Sequence, residues 1–220
     1  MATRREQVVA AILRERASAI IRTNDQEVAG EAIRAAVEGG FKLVEFTLTT
    51  PGACELVARF AADSELTVGA GTVMTRAQAR AAVSAGARFL VSPICDPEIV
   101  AEAAALDVPI IPGTFTPTEM ETAHRLGADF VKLFPAVPGG VDFVRAIRGP
   151  MPHLRMFPTA GVTPENFTEF LDAGCAGVGF VASLFTPADI SERRFEAIRD
   201  RAAEITRRLA QWRSRSANVA

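Results

Sequence analysis

Lys132 is one of only two lysines in a chain that carries 24 Lys plus Arg, and it stands inside the apolar run Asp129-Phe130-Val131-Lys132-Leu133-Phe134-Pro135. Arginine supplies the positive charge almost everywhere else. A guanidinium stays protonated at any usable pH, whereas an amine desolvated by apolar neighbours can lose its proton and attack a carbonyl carbon. The residue type therefore points to Schiff-base chemistry. A second candidate is Glu45 in Leu43-Val44-Glu45-Phe46-Thr47-Leu48-Thr49. The two-residue period of a strand puts Glu45, Thr47 and Thr49 on one face, and Val44, Phe46 and Leu48 on the face that suits a helix layer. A carboxylate and an amine in one small cavity suit a reaction in which the amine forms an imine with a keto acid and the carboxylate moves protons. The alternative is a buried ion pair that only fills space.

Other polar residues fall where they could hold a substrate. Arg22 closes the first strand, and a guanidinium can grip a carboxylate with two hydrogen bonds; it could equally be an ordinary strand-end charge. Thr72 follows Gly69-Ala70-Gly71, read as a turn, and could offer its hydroxyl to the same group or serve as a helix cap. In Pro158-Thr159-Ala160-Gly161-Val162-Thr163-Pro164-Glu165-Asn166, Thr163 before Pro164 predicts a helix start. With Gly179 to Ser183, that segment could hold a phosphate on backbone amides, or simply join strand to helix. The chain has no tyrosine, and its two histidines fall in a predicted outer helix (His124) and a Pro-rich loop (His153).

These groups need a scaffold that converges them. Short apolar runs predict eight strands: Ala19–Arg22, Leu43–Leu48, Leu66–Gly69, Arg88–Ser92, Pro109–Pro112, Phe130–Phe134, Arg155–Pro158 and Ala176–Phe180. Ala-rich helical patterns separate them, and Gly39-Gly40, Gly86, Gly127 and Gly174 each close a helix just before a strand. The pattern predicts an α/β fold, a single (β/α)8 TIM barrel with an extra N-terminal helix, whose strands' C-terminal ends carry the site. An open doubly wound sheet is the alternative, but Gly69-Ala70-Gly71-Thr72 lacks the full dinucleotide-binding pattern.

With 220 residues, 49% hydrophobic, and no Pro/Gly/Ser-rich linker, the chain reads as one domain, residues 1–220. A net charge of −2 gives no basic field for nucleic acid or anionic lipid, which leaves small-molecule chemistry. Cys54, Cys95 and Cys175 are widely spaced and read as buried free thiols, with no metal site. The N-terminus leads into an amphipathic helix rather than an apolar leader, and no stretch of about 18 apolar residues follows, so a cytoplasmic location is expected.

The chain resembles the bacterial 2-keto-3-deoxy-6-phosphogluconate (KDPG) aldolases, which are grouped with 4-hydroxy-2-oxoglutarate (KHG) aldolases and a phosphogalactonate relative. The resemblance runs through Ile20-Ile21-Arg22, Val44-Glu45-Phe46-Thr47, Val68-Gly69-Ala70-Gly71-Thr72-Val73, Val91-Ser92-Pro93, Ile111-Pro112-Gly113, Val131-Lys132-Leu133-Phe134-Pro135 and Pro158-Thr159-Ala160-Gly161. It implies a class I aldolase with Lys132 as the Schiff-base residue and Glu45 as the proton-transferring base. Arg22 and Thr72 would meet the substrate, as would Pro93, Phe134, Thr159, Gly161 and Ser183. It further implies no metal or cofactor, a pyruvate-yielding 2-keto acid substrate, and a homotrimer. Some relatives have arginine where this chain has Thr49. The family's usual Thr-Gly-Gly is Thr159-Ala160-Gly161 here, and its Gly-Ser falls on Val181-Ala182, with Ser183 one place later. Only Gly161 of the phosphate positions carries over, so an unphosphorylated substrate such as 4-hydroxy-2-oxoglutarate is a competing expectation. A sugar-phosphate isomerase or epimerase barrel, and a binding barrel without turnover, are the alternatives from other classes.

Overall fold

The structure, a computed structural model, describes residues 2–136 and 139–217. Helix α1 (Arg4–Glu15) starts at Thr3, whose hydroxyl accepts from the Glu6 N–H while the Glu6 carboxylate accepts from the Thr3 N–H. Then follow β1 (Ala17–Ile21), α2 (Gln26–Glu38), β2 (Leu43–Thr47), α3 (Ala53–Ala61), β3 (Thr67–Gly71), α4 (Arg76–Ser84), β4 (Phe89–Val91) and α5 (Pro97–Ala105). The second half runs β5 (Ile110–Ile111), β6 (Gly113–Thr114), α6 (Pro117–Arg125), β7 (Lys132–Leu133), α7 (Gly140–Arg148), α8 (Phe167–Asp172), β8 (Val178–Phe180), α9 (Pro187–Ser191) and α10 (Phe195–Ala217).

All strand pairings are parallel. Six strands form a sheet in the order β5-β4-β3-β2-β1-β8, and β6 pairs with β7. Backbone hydrogen bonds carry the circle around the rest. Lys132 N donates to Pro112 O at 2.9 Å, Phe157 N to Val131 O at 2.8 Å, Thr159 N to Leu133 O at 3.1 Å, and Gly179 N to Pro158 O at 2.9 Å. The result is a closed eight-stave barrel. Two staves differ from the expected continuous strands. Pro112 has no N–H to give, so the fifth is split into β5 and β6. The seventh, Arg155–Pro158 in the sequence reading, is held only by bridges from Met156 to Val131 and from Thr159 to Gly179. Pro158 likewise removes a donor there.

Alternation along the staves makes two cores. Ala17, Ala19 and Ile21 of β1, with Val44 and Phe46 of β2, face the helices, where small residues such as Ala29, Ala32 and Ala36 of α2 allow close approach. Inside the barrel, Leu43, Phe89, Val91, Ile111, Phe130 and Phe157 form the floor. Val8 and Ile12 of α1 join that inner cluster and are fully buried, so the extra N-terminal helix plugs the bottom of the barrel. The repeated helix-ending glycines adopt left-handed backbone, with φ of 100° at Gly40, 107° at Gly86, 93° at Gly127 and 92° at Gly174.

The expectation of three buried thiols holds only for Cys175; Cys54, in the first turn of α3, and Cys95, in the loop between β4 and α5, are half-buried. No helix among the described residues is long and apolar enough to cross a membrane. If α1 is the plug, Ile12→Ala should lower the unfolding free energy in urea by about 2–5 kcal/mol. A loss below about 1 kcal/mol would contradict that role.

Candidate active site

Lys132 and Glu45 converge inside the barrel, above the apolar floor. Lys132 opens β7 and is 6% exposed; Glu45, in the middle of β2, is 2% exposed. Ser18, Ile20 and Thr159 line the same small space with them. The Lys132 ammonium nitrogen sits 4.5 Å from the centre of the Phe134 ring, two residues on along the chain. That contact favours the cationic amine when it is charged.

The glycines of β3 make room for this arrangement. Gly69-Ala70-Gly71 is strand, not the turn expected from the sequence, and β3 runs on to Gly71 before the chain leaves the barrel. Glu45 pairs across the sheet with Gly69, and Thr47 with Gly71. A Cβ at position 69 would overlap the Phe89 ring, and one at 71 would overlap the Glu45 carboxylate. The two glycines are thus required by inward neighbours: one by a floor aromatic, the other by the acid.

Burial sets the electrostatics. The Glu45 carboxyl is pushed up to about 7 by loss of water, against the opposing pull of the Lys132 and Arg22 charges. Lys132 is lowered by its own burial, against the raising effect of Glu45, while Arg22 lowers it further. No direct ion pair closes between the two. Each group's shift moves it toward neutrality: the acid is weaker than an ordinary carboxyl, and the amine is a weaker base than an ordinary lysine.

At the rim, Arg22 follows β1 and donates to the Thr72 hydroxyl at 3.2 Å. Thr72 has left-handed backbone, φ 58°, a strained state for a β-branched residue. It does not cap a helix: Thr75 holds that position for α4. Thr49 is exposed beside Thr47, 3.1 Å between hydroxyls. Phe134 is half-buried under Lys132, and Pro93 lies after β4 with its carbonyl side against Gly113.

Thr159 is buried in the seventh stave and joins the cavity of Lys132 and Glu45. Gly161, at φ 132°, is exposed at the mouth, where a Cβ would overlap the Ala136 carbonyl. Neighbouring Ala160 also has a positive φ of 60°. The Ser183 hydroxyl is turned inward and donates to Val162 O at 2.7 Å, tying the loops of the seventh and eighth staves together. The helix expected from Thr163 and Pro164 starts later, at Phe167. Asn166 folds its amide back to accept from Thr163 N at 2.8 Å and donate to Gly161 O at 2.9 Å, which makes a turn of those residues.

His124 and His153 are exposed on the outer surface and meet at a tilt of 55°, 4.8 Å between ring centres, outside the buried interior that holds Lys132 and Glu45. Among the described residues, no three His, Cys, Asp or Glu side chains gather as a metal site would require. Ser18 was not anticipated. The first strand was expected to begin at Ala19, whereas β1 begins at Ala17, so the period-two reading that found Glu45 was never applied to Ser18.

Comparison with known proteins matches this arrangement to a family. The family model for KDPG and KHG aldolase covers residues 9–200. The chain is 32% identical to the 2-dehydro-3-deoxy-6-phosphogalactonate aldolase of Escherichia coli (strain K12), over 80% of this chain and 87% of that one. It is 37% identical to the 2-dehydro-3-deoxy-phosphogluconate aldolase of Treponema pallidum (strain Nichols), over 73% and 78%. Among solved structures, KDPG aldolase from Legionella pneumophila, with pyruvate captured at low pH as a covalent carbinolamine intermediate, superposes with a TM-score of 0.82 at 28% identity, covering 90% of this chain and 98% of that one. A barrel with a buried amine facing a buried acid, and sequence likeness over four-fifths of its length, is an aldolase barrel and a lyase: the chain belongs to the KDPG and KHG aldolase family.

Proposed function

We propose that the chain is a class I aldolase that cleaves 2-keto-3-deoxy-6-phosphogluconate to pyruvate and glyceraldehyde 3-phosphate. The observation that carries this is the buried Lys132 amine, lowered by desolvation and faced by Glu45. Neutral Lys132 attacks the C2 carbonyl, and loss of water from the carbinolamine gives an iminium. Its positive nitrogen draws the electrons of the C3–C4 bond as Glu45 removes the C4 hydroxyl proton. The aldehyde departs, leaving an enamine, which is protonated at C3, and water then releases pyruvate and regenerates the amine. Arg22, held by Thr72, meets the substrate carboxylate, while Thr159, Phe134 and Pro93 shape the pyruvyl pocket.

A second substrate reading, 4-hydroxy-2-oxoglutarate or another unphosphorylated 2-keto acid, is favoured by one observation. The Ser183 hydroxyl is committed to Val162 O, and Ala160, Val181 and Ala182 put side chains where a phosphate needs bare backbone; only Gly161 is open. We further infer that the chain acts as one domain over residues 1–220, as a homotrimer in the cytoplasm, in the Entner-Doudoroff pathway. Family likeness is the support for these.

Borohydride reduction in the presence of pyruvate should leave a stable adduct on Lys132, read by mass spectrometry, and none in Lys132→Arg. An unmodified wild-type protein would exclude the imine mechanism. For a base to act, Glu45 must be ionised, so kcat/KM should rise with pH through about 7. Glu45→Gln should lower kcat by roughly 10²–10⁴-fold and abolish that limb. Comparing kcat/KM for the phosphorylated and unphosphorylated substrates then decides between the two substrate readings. A preference for the phosphorylated acid supports the first.

A further inference from the structure

The Ser18 hydroxyl is 1% exposed and has no hydrogen-bond partner among the described residues. A buried hydroxyl left unpaired carries an uncompensated desolvation cost, so such a group in a packed interior calls for a partner. Ser18 points into the barrel one layer below Ile20, level with Leu43 of β2 and Gly179 of β8. It shares a small cavity with Glu45, Lys132 and Thr159, closed off by Phe89 and Phe157. The volume is about 10 Å³. That is close to the room one water needs, and a buried water needs two to four polar partners. Four polar side chains surround this one. The acid and the amine do not reach each other directly, so a polar bridge between them has a place to sit.

We propose that Ser18 anchors a single buried water at the floor of the active site, hydrogen-bonded on its other side to the Glu45–Lys132 pair. The water completes the Ser18 hydroxyl and donates to the Glu45 carboxylate, restoring part of the solvation that burial removed. Ser18 is thus a positioning residue, acting on the pair through the water. The charged groups that face Glu45 are Lys132 from β7 and Arg22 from the end of β1, and neither is altered by changing Ser18. Weakening the water's anchor therefore shows as a change in the ionisation of the acid. This inference rests on Glu45 and Lys132 being the reacting pair.

The test uses full-length Ser18→Ala and Ser18→Thr, with pH profiles of kcat/KM on 2-keto-3-deoxy-6-phosphogluconate and borohydride trapping with pyruvate. Ser18→Ala should move the rising limb to higher pH, giving roughly three- to tenfold lower kcat/KM near pH 6 and convergence with wild type well above the limb. Trapping at Lys132 should persist, and Ser18→Thr, which keeps the hydroxyl, should retain the wild-type limb. An alanine profile that superimposes on wild type while trapping succeeds would overturn the proposal. So would a threonine variant shifted as far as alanine, because packing and not the hydroxyl would then set the limb. Failure of the wild type itself to trap pyruvate would count instead against the aldolase reading.

Discussion

Holding an amine and a carboxylate together out of water is the constraint on which this structure turns. Removing either ion from water is costly by several kcal/mol, and their attraction offsets this only in part unless their geometry is ideal. Lys132 and Glu45 make no direct ion pair, so each settles toward its neutral form, and the acid is pushed up to about 7. In the proposed mechanism, the cost of that burial is the source of reactivity. A solvated lysine would remain an unreactive ammonium ion, and a solvated glutamate would be too weak a base to draw a proton from a hydroxyl.

Much of the barrel serves to shield this pair from bulk solvent and keep it aligned. The aromatic floor and the α1 plug exclude bulk solvent from below, with Val8 and Ile12 fully buried. Stave closure through β7 and the seventh segment sets Lys132 opposite β2, and the missing side chains at Gly69 and Gly71 admit Phe89 and the Glu45 carboxylate. At the open end, Arg22, hydrogen-bonded to Thr72, is a cation close enough to bias both titrations while remaining exposed at the rim. Interior packing and rim polarity are thus separate layers, with Thr159 lining the interior one beside Lys132 and Glu45.

The central pair was legible in the sequence because its signals are local. A lone lysine in an apolar run and the two-residue period of β2 name both groups without knowledge of the tertiary structure. The helix-ending glycines likewise announced the barrel repeat. What was hidden depends on neighbours distant in sequence. Gly69-Ala70-Gly71 looks like a turn until Phe89 and Glu45 occupy the vacated space, and Ser18 looks like a loop residue until pairing with Gly179 and Leu43 lengthens β1. The start of α8 moved to Phe167 because the Asn166 amide captures the backbone that Pro164 would otherwise lead into a helix. Split staves at Pro112 and Pro158 follow from the missing N–H, yet the barrel closes because their carbonyls still accept.

The most direct test is the ionisation of the Lys132 amine itself. Reductive methylation with ¹³C-formaldehyde labels only the two lysines and the N-terminus, and Lys42→Arg removes the other side-chain signal. Titration by ¹³C NMR should then place Lys132 below the ordinary lysine value of 10.5, with a second inflection where Glu45 titrates. An amine that titrates at or above that ordinary value would contradict the desolvated nucleophile on which the account rests.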